Sequence, residues 1–280
     1  MIEIQTTIKV LLKPVYNLLR NILFQILDYY DILKCTQNPL VPPRSMIFIG
    51  DGDYEKIGNE FLEYFRELGK LKPNSKVLDV GCGIGRMAVP LVKYLSDEGE
   101  YHGFDIVKKG IDWCSENITS KYPKLIFVHA DVYNKMYNPR GKEISSEYNF
   151  SYESNYFDFV FLTSVFTHMY AKDVENYLGE ISRVMKSGGR CLITFFLLNE
   201  ESEKFIKNGD SSQNLKFQID ENSYTVNKNI SESAIGYKEE YIKQLFVNKG
   251  LTVEESIYYG SWCGRKNYKS YQDIVIAIKK

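Results

Sequence analysis

The residues with most to offer chemically begin in the run KVLDVGCGIGR, Lys76–Arg86. Three glycines, Gly81, Gly83 and Gly85, follow an acid, Asp79, with Cys82 between the first two. Glycines so placed let a backbone approach a ligand where any Cβ would collide with it. Asp79 narrows the choice of ligand. A carboxylate at that point repels a pyrophosphate and attracts an ammonium or a sulfonium. The dinucleotide fingerprint G-x-G-x-x-G is also broken, because Gly85 comes one place early and Arg86 stands where the third glycine belongs. That makes a dehydrogenase the least favoured reading. Two further acids end hydrophobic runs: Asp105 closes YHGFD and Asp131 closes LIFVHAD. An acidic residue at such a strand end can accept both hydroxyls of a ribose. His168 titrates near neutrality and suits a general base, or equally a structural hydrogen bond at a helix start.

These residues need a scaffold that gathers strand ends, and the hydrophobic pattern describes one. Val77, Leu78 and Val80 read as a short buried strand, and Met87–Leu95 restarts with helical spacing whose first N–H groups suit an anion. Tyr101–Ile106 and Leu125–Asp131 read as the next strands, with a helix over 108–121 between them. Phe157-Asp158-Phe159-Val160-Phe161 alternates and then runs apolar, as a buried central strand does. Asp173–Lys186 reads as a helix ended by Ser187-Gly188-Gly189, with Gly188 as a left-handed cap. Arg190–Leu198 is a fifth strand, Tyr237–Lys249 a helix, and Leu251–Tyr259 and Asp273–Ile278 the last strands. Strands alternating with helices predict an α/β fold with a mostly parallel sheet, whose ligands sit at the carboxyl ends of its strands.

V-L-D-V-G-C-G-I-G resembles the first motif of the class I S-adenosylmethionine-dependent methyltransferases. FDI resembles their second motif, SNYFDFVFLTSVFTHM carries a likeness to the fourth, and R-V-M-K-S-G-G-R resembles their helix-to-strand junction. The resemblance is specific over 76–198 and looser over 237–280. GDGD before the domain and YGSWCGR near its end look like a bacterial small-molecule subgroup. The resemblance implies a Rossmann-like seven-stranded sheet of order 3-2-1-4-5-7-6, helices on both faces, and a final hairpin with a reversed edge strand.

It also implies S-adenosyl-L-methionine as cofactor, S-adenosyl-L-homocysteine as product, and direct displacement without a metal. The cofactor carries the ammonium and sulfonium that Asp79 would attract. By this likeness Asp79 orients the methionine amino group, and Gly81, Cys82, Gly83 and Gly85 admit the methionine tail. Asp105 with Ile106 holds the ribose, Asp131 with Val132 holds the adenine, and Thr163 and Ser164 lie beside the transferring methyl. Asp51-Gly52-Asp53 reads as a turn with a helix N-cap; a segment ahead of the first strand commonly closes over the cofactor in such enzymes, which puts Asp51, Gly52 and Tyr54 at the site unless the turn is an ordinary one. Methylation of a hydroxyl needs its proton removed, and His168 is the candidate base. N-P-P-Y and D-P-P-Y, the signatures of methylases acting on base or protein amide nitrogens, are absent. The acceptor expected is a small molecule, methylated on an oxygen of a sugar, lipid-linked or secondary-metabolite compound. A non-catalytic cofactor-binding partner protein, docking through residues 1–36, is the alternative from another class.

The whole chain agrees with a small-molecule enzyme. It has 280 residues, 44 % of them apolar, and a formal charge of −1, which points away from nucleic acid. Five scattered cysteines without a C-x-x-C read as core residues of a reducing compartment, and three histidines lack metal-ligand spacing. No stretch reads as a secretory signal or a transmembrane span, so the expected location is cytoplasmic. Residues 1–36 form an amphipathic helical segment suited to packing on the catalytic domain, to a protein partner, or to peripheral membrane contact. Residues 37–75 are a cofactor-covering lead-in, and 76–280 the cofactor-binding methyltransferase domain. Two polar stretches, 132–155 and 199–236, read as substrate-side insertions, the second with a hairpin of Leu215–Ile219 and Tyr224–Asn227. Trp262, Arg265 and Tyr268 could grip a substrate or simply pack.

Overall fold

The computed structural model describes residues 18–20, 22–31, 33–34, 38–50, 52–254 and 256–280. Helix α1 covers the described positions between 18 and 34. A 3-10 turn, Arg44–Met46, leads to α2, Tyr54–Glu67, which Asp53 caps by accepting from the Lys56 N–H at 2.7 Å. There follow β1 (Lys76–Val80), α3 (Ala88–Tyr94), β2 (Glu100–Asp105), α4 (Lys108–Cys114), β3 (Leu125–His129), β4 (Phe157–Leu162) and α5 (Ala171–Val184). The chain continues through β5 (Met185–Phe195), β6 (Leu197–Leu198), α6 (Glu200–Asn208), β7 (Phe217–Gln218), β8 (Ser223–Thr225) and β9 (Ile235–Lys238). It closes with α7 (Glu239–Asn248), β10 (Leu251–Val253) and β11 (Asp273–Lys279).

Seven strands form the main sheet in the order β3-β2-β1-β4-β5-β11-β10. Counted along the chain within that sheet, the order is the expected 3-2-1-4-5-7-6. Pairs from β3 to β5 are parallel, and β11 runs antiparallel to both its neighbours. The reversed strand is therefore one place in from the edge, where a reversed edge strand was expected. Burial explains the placement: β11 is apolar and covered along most of its length, while β10 has three residues and suits an edge.

Strand alternation divides the core between the sheet's two faces. Leu78, Val160, Leu162, Ile193 and Val275 pack with Val174, Leu178 and Ile181 of α5 and Phe246 of α7. Val77, Phe159, Phe161, Leu192 and Ile276 pack with Phe65 of α2, Leu91 of α3 and Ile111 of α4. Helix α5 stops at Val184, and Met185 is already extended. Gly188, at φ +77°, therefore does not cap it; the residue sits where the β4–β5 register jumps between Phe157↔Met185 and Phe159↔Arg190. The hairpin expected in 199–236 is part of a second, four-stranded sheet, β6-β9-β8-β7.

The expected packing of the N-terminal helix on the domain is reversed in the described residues. Leu18, Leu19, Ile22, Leu23 and Ile26 are exposed, while the polar Asp28 is buried. Asp28 accepts from the Arg44 N–H (2.8 Å), the Ser45 N–H (3.1 Å) and Ser45 Oγ (2.7 Å), and Arg44 also pairs with Asp31. The rest of the 1–36 segment, with Cys35, lies outside the described residues. The four described cysteines are buried free thiols. Among the described residues no helix is long and apolar enough to cross a membrane.

Candidate active site

A cavity of about 490 Å³ opens at the carboxyl ends of β1, β2 and β4. Its floor is the glycine loop. The N–H groups of Gly81 and Cys82 both donate to the Phe104 carbonyl, at 2.9 and 3.0 Å, which binds the loop to β2. Gly81 and Gly83 have φ of +85° and +59°. A Cβ on Gly83 would lie 2.7 Å from Ile49 Cγ2, so the loop is bare where the preceding segment crosses it. Gly85 does not line the cavity; a Cβ there would meet Cys114 and Ile118 of the neighbouring helical turns.

Two acids face this loop. Asp79 is fully buried; its Oδ2 accepts from Tyr101 Oη at 2.8 Å, and its Oδ1 has no partner. Burial pushes its carboxyl well up, against the pull of the Tyr101 hydroxyl. Asp105 accepts from the Gly83 N–H and the Val107 N–H, each at 2.7 Å, and these bonds offset part of the upward push of burial. Ile106 and Val132 line the cavity beside it. Asp131, expected at the adenine, does not. Its carboxylate accepts from Asn138 Nδ2 at 3.3 Å and lies 3.7 Å from Lys142 Nζ, so it shapes the loop after β3.

The covering segment also differs from the expectation. Phe48, Ile49 and Gly50 form the wall, whereas Gly52 and Tyr54 do not line it and Asp51 lies outside the described residues. Tyr54 instead braces the glycine loop, donating to the Ile84 carbonyl at 2.8 Å. Arg86 ties the wall down: its Nη2 donates to the carbonyls of Ile49 (2.5 Å) and Gly50 (3.1 Å).

The far wall comes from the exit of β4 and the two insertions. Thr163, Ser164 and His168 line it, with Asn134, Met136, Tyr137 and Ser145 from the first insertion and Ser233 from the second. Helix α5 clamps the first insertion: Asn176 donates to the Ser145 and Tyr148 carbonyls, and Arg183 to those of Phe150 and Tyr152. Ser164 stands in left-handed backbone, φ +62°, a conformation held by its surroundings. Its N–H donates to Thr194 Oγ1 (2.8 Å), Thr194 donates to Gln272 Oε1 (2.6 Å), and Gln272 Nε2 returns to Ser164 Oγ (2.7 Å).

His168 Nδ1 lies 2.7 Å from the Glu232 carbonyl oxygen. A carbonyl only accepts, so Nδ1 carries the proton and Nε2 presents a lone pair. Burial holds the imidazole below its ordinary pKa, against the carbonyl's opposite effect. Tyr137 meets the ring edge-on at 5.5 Å.

Of the residues singled out in the sequence, Asp79, Gly81, Cys82, Gly83, Asp105, Ile106, Val132, Thr163, Ser164 and His168 come together here. Asn134 and Tyr137 join them from the 132–155 insertion, and Phe48, Ile49, Arg86 and Gln272 were not singled out as site residues. Trp262 and Arg265 belong to a buried knot instead. Asp273 accepts from Trp262 Nε1 (2.8 Å), the Leu197 N–H (2.7 Å) and the Gly260 N–H (2.7 Å), with Arg265 at 3.3 Å. Tyr268 is exposed and does not line the cavity. Among the described residues no cluster of His, Cys, Asp or Glu could hold a metal ion.

Comparison with known proteins adds three findings. A family described as a methyltransferase domain matches residues 71–250. Phosphoethanolamine N-methyltransferase 2 of Caenorhabditis elegans is 29 % identical over 160 residues, 56 % of this chain and 32 % of that protein. Sterol 24-C-methyltransferase erg6 of Schizosaccharomyces pombe is 28 % identical over 143 residues, 49 % of this chain and 32 % of its own. The chain thus spans about a third of the length of these relatives. Among solved structures, the PH0226 protein of Pyrococcus horikoshii superposes with a TM-score of 0.56 at 18 % identity, covering 84 % of this chain and 95 % of that one. Magnesium protoporphyrin IX methyltransferase of Synechocystis, with bound SAH, gives 0.51 at 14 % identity over 82 % and 90 %. At those identities the two structures speak for the fold.

Proposed function

Because this chain belongs to the methyltransferase-domain family, we propose that it methylates a hydroxyl oxygen of an uncharged small molecule, a sugar, lipid-linked or secondary-metabolite acceptor, using S-adenosyl-L-methionine. When bound, the cofactor supplies a methyl group on a sulfonium, and its transfer leaves S-adenosyl-L-homocysteine. The residues present suit that ligand. The unpartnered Oδ1 of buried Asp79 invites the methionine ammonium, Asp105 stands at the end of β2 for the ribose, and Val132 offers an apolar surface to the adenine. Gly81 and Gly83 lie bare on the cavity floor, where the Val165 and Ile49 side chains approach them.

The observation that carries the acceptor reading is the His168–Glu232 bond. It leaves Nε2 able to take the proton that an acceptor hydroxyl gives up as its oxygen bonds the methyl carbon. The charged side chains lining the described cavity are Asp79, Arg86 and Asp105, all at the glycine loop. The opposite wall offers Tyr137, Tyr177, Asn134, Ser145, Ser233 and Gln272, which are dipoles without net charge. A phosphate-bearing acceptor such as the nematode relative's name implies would lack a counter-ion there.

The test is release of S-adenosylhomocysteine from S-adenosylmethionine with a panel of neutral hydroxylated acceptors beside phosphoethanolamine. Turnover on a neutral hydroxyl compound, with the methyl on oxygen, is expected. Preference for the phosphorylated amine would overturn the acceptor class, and methylation on nitrogen or carbon would overturn the choice of oxygen.

A further inference from the structure

Among the described residues, no acid pairs with the buried guanidinium of Arg86. It is 8 % exposed and lines the cavity. Its Nη2 is spent on the Ile49 and Gly50 carbonyls; Nε is buried without a partner, and Nη1 makes no hydrogen bond among the described residues. The centre of the Tyr54 ring lies 5.7 Å from the guanidinium carbon. Burying a cation against carbonyl dipoles alone is expensive unless an anion completes the site. At the other end of the same glycine loop, Asp79 Oδ1 is an orphan of the opposite sign. Two orphans of opposite sign lining one cavity suit a ligand that carries both an ammonium and a carboxylate.

The start of α3, which the sequence offered as the anion's receptor, is otherwise engaged. The Ala88 and Val89 N–H groups both return to the Gly85 carbonyl, at 3.0 and 3.2 Å, and the helix has only seven residues. We infer that Arg86 binds the α-carboxylate of the cofactor's methionine moiety and, through the same guanidinium, holds Phe48-Ile49-Gly50 closed over it. This rests on the reading that the cavity holds S-adenosylmethionine. One guanidinium serves both tasks, since Nη2 grips the wall while Nη1 keeps hydrogens to donate to a carboxylate oxygen. Carboxylate binding and wall closure are then coupled through one side chain.

The experiment compares calorimetric binding of S-adenosylhomocysteine with that of 5′-methylthioadenosine, which has the same nucleoside and thioether but no amino-acid group. In Arg86→Met, affinity for the first falls about 10- to 100-fold, in keeping with a charge-assisted pair, while affinity for the second is unchanged. Arg86→Lys recovers part of the loss. Hydrogen exchange over residues 44–50 slows on adding S-adenosylhomocysteine to wild type and does not in the Met variant. Equal losses for both ligands, or no loss for either, would overturn the inference. Should Arg86→Met fail to fold, wild type answers alone: decarboxylated S-adenosylmethionine must bind about 10- to 100-fold more weakly than the intact cofactor, and equal binding sinks the proposal. Absence of any S-adenosylhomocysteine binding to wild type would instead overturn the cofactor reading beneath it.

Discussion

The imidazole of His168 and the backbone carbonyl of Glu232 are joined at 2.7 Å across 64 positions of sequence. The bond reaches from the exit of the central strands to the second insertion. Glu232 is fixed in turn, because its Oε1 accepts from the Lys135 N–H at 3.1 Å in the first insertion. Both polar insertions therefore bear on one ring nitrogen.

Burial lowers the pKa of His168, which favours the base form at neutral pH. We expect kcat to rise from acid with a midpoint below the ordinary histidine value of about 6.5 and to be flat by pH 7. His168→Gln lowers kcat by about 10²- to 10⁴-fold and leaves S-adenosylhomocysteine affinity unchanged. An unaltered rate in the Gln variant would take this histidine out of the chemistry.

Asp79 is expected to trade stability for binding. Its folded pKa is raised, so the protonated carboxyl stabilises fully below the unfolded value of 3.8, and that contribution is lost as pH climbs through the raised folded value. At pH 7, Asp79→Asn melts higher than wild type without ligand, yet binds S-adenosylhomocysteine about 10- to 100-fold more weakly. Melting curves at pH 5 and pH 7, with and without ligand, separate the two effects. A variant less stable than wild type when unliganded would contradict the sign.

Gly83→Ala tests the contact between loop and wall. The substitution imposes left-handed backbone on alanine, costing about 1–2 kcal/mol, and sets a methyl 2.7 Å from Ile49 Cγ2. Denaturant unfolding reports the first, and calorimetry with S-adenosylhomocysteine reports weakened binding from the displaced wall. Unchanged affinity would mean that Ile49 does not cover the ligand.

Asp273→Ala leaves Arg265 and Trp262 Nε1 without their shared acceptor in a buried site. We expect destabilisation of about 3–5 kcal/mol. The folded fraction binds cofactor product as wild type does, because none of Asp273, Trp262 and Arg265 lines the cavity. Lost binding in fully folded protein would bring Trp262 and Arg265 back as substrate residues.

The parts readable from sequence are those that local rules determine. The run VLDVGCGIG announces itself because positive-φ turns demand glycine, and strand alternation in FDFVFL fixes which face each side chain takes. Asp53 was legible as a cap for the same reason. Side-chain destinations were less so. Asp131 and Asp105 both follow apolar runs, and only tertiary structure shows that Asn138 and Lys142 claim one of them while the glycine loop takes the other. Arg86 was visible as the residue that breaks a fingerprint, but its service to Ile49 and Gly50 depends on a segment more than thirty residues earlier folding back. Gln272 gave no signal, since its link to Ser164 spans 108 positions.

The hydrogen bond from the Gly83 N–H to Asp105 has a thermodynamic consequence. With Gly81 and Cys82 also tethered to β2, the loop is immobilised by the protein's own backbone rather than by its guest. Its conformational entropy is surrendered when the chain folds, so ordering this loop is no part of the cost of association.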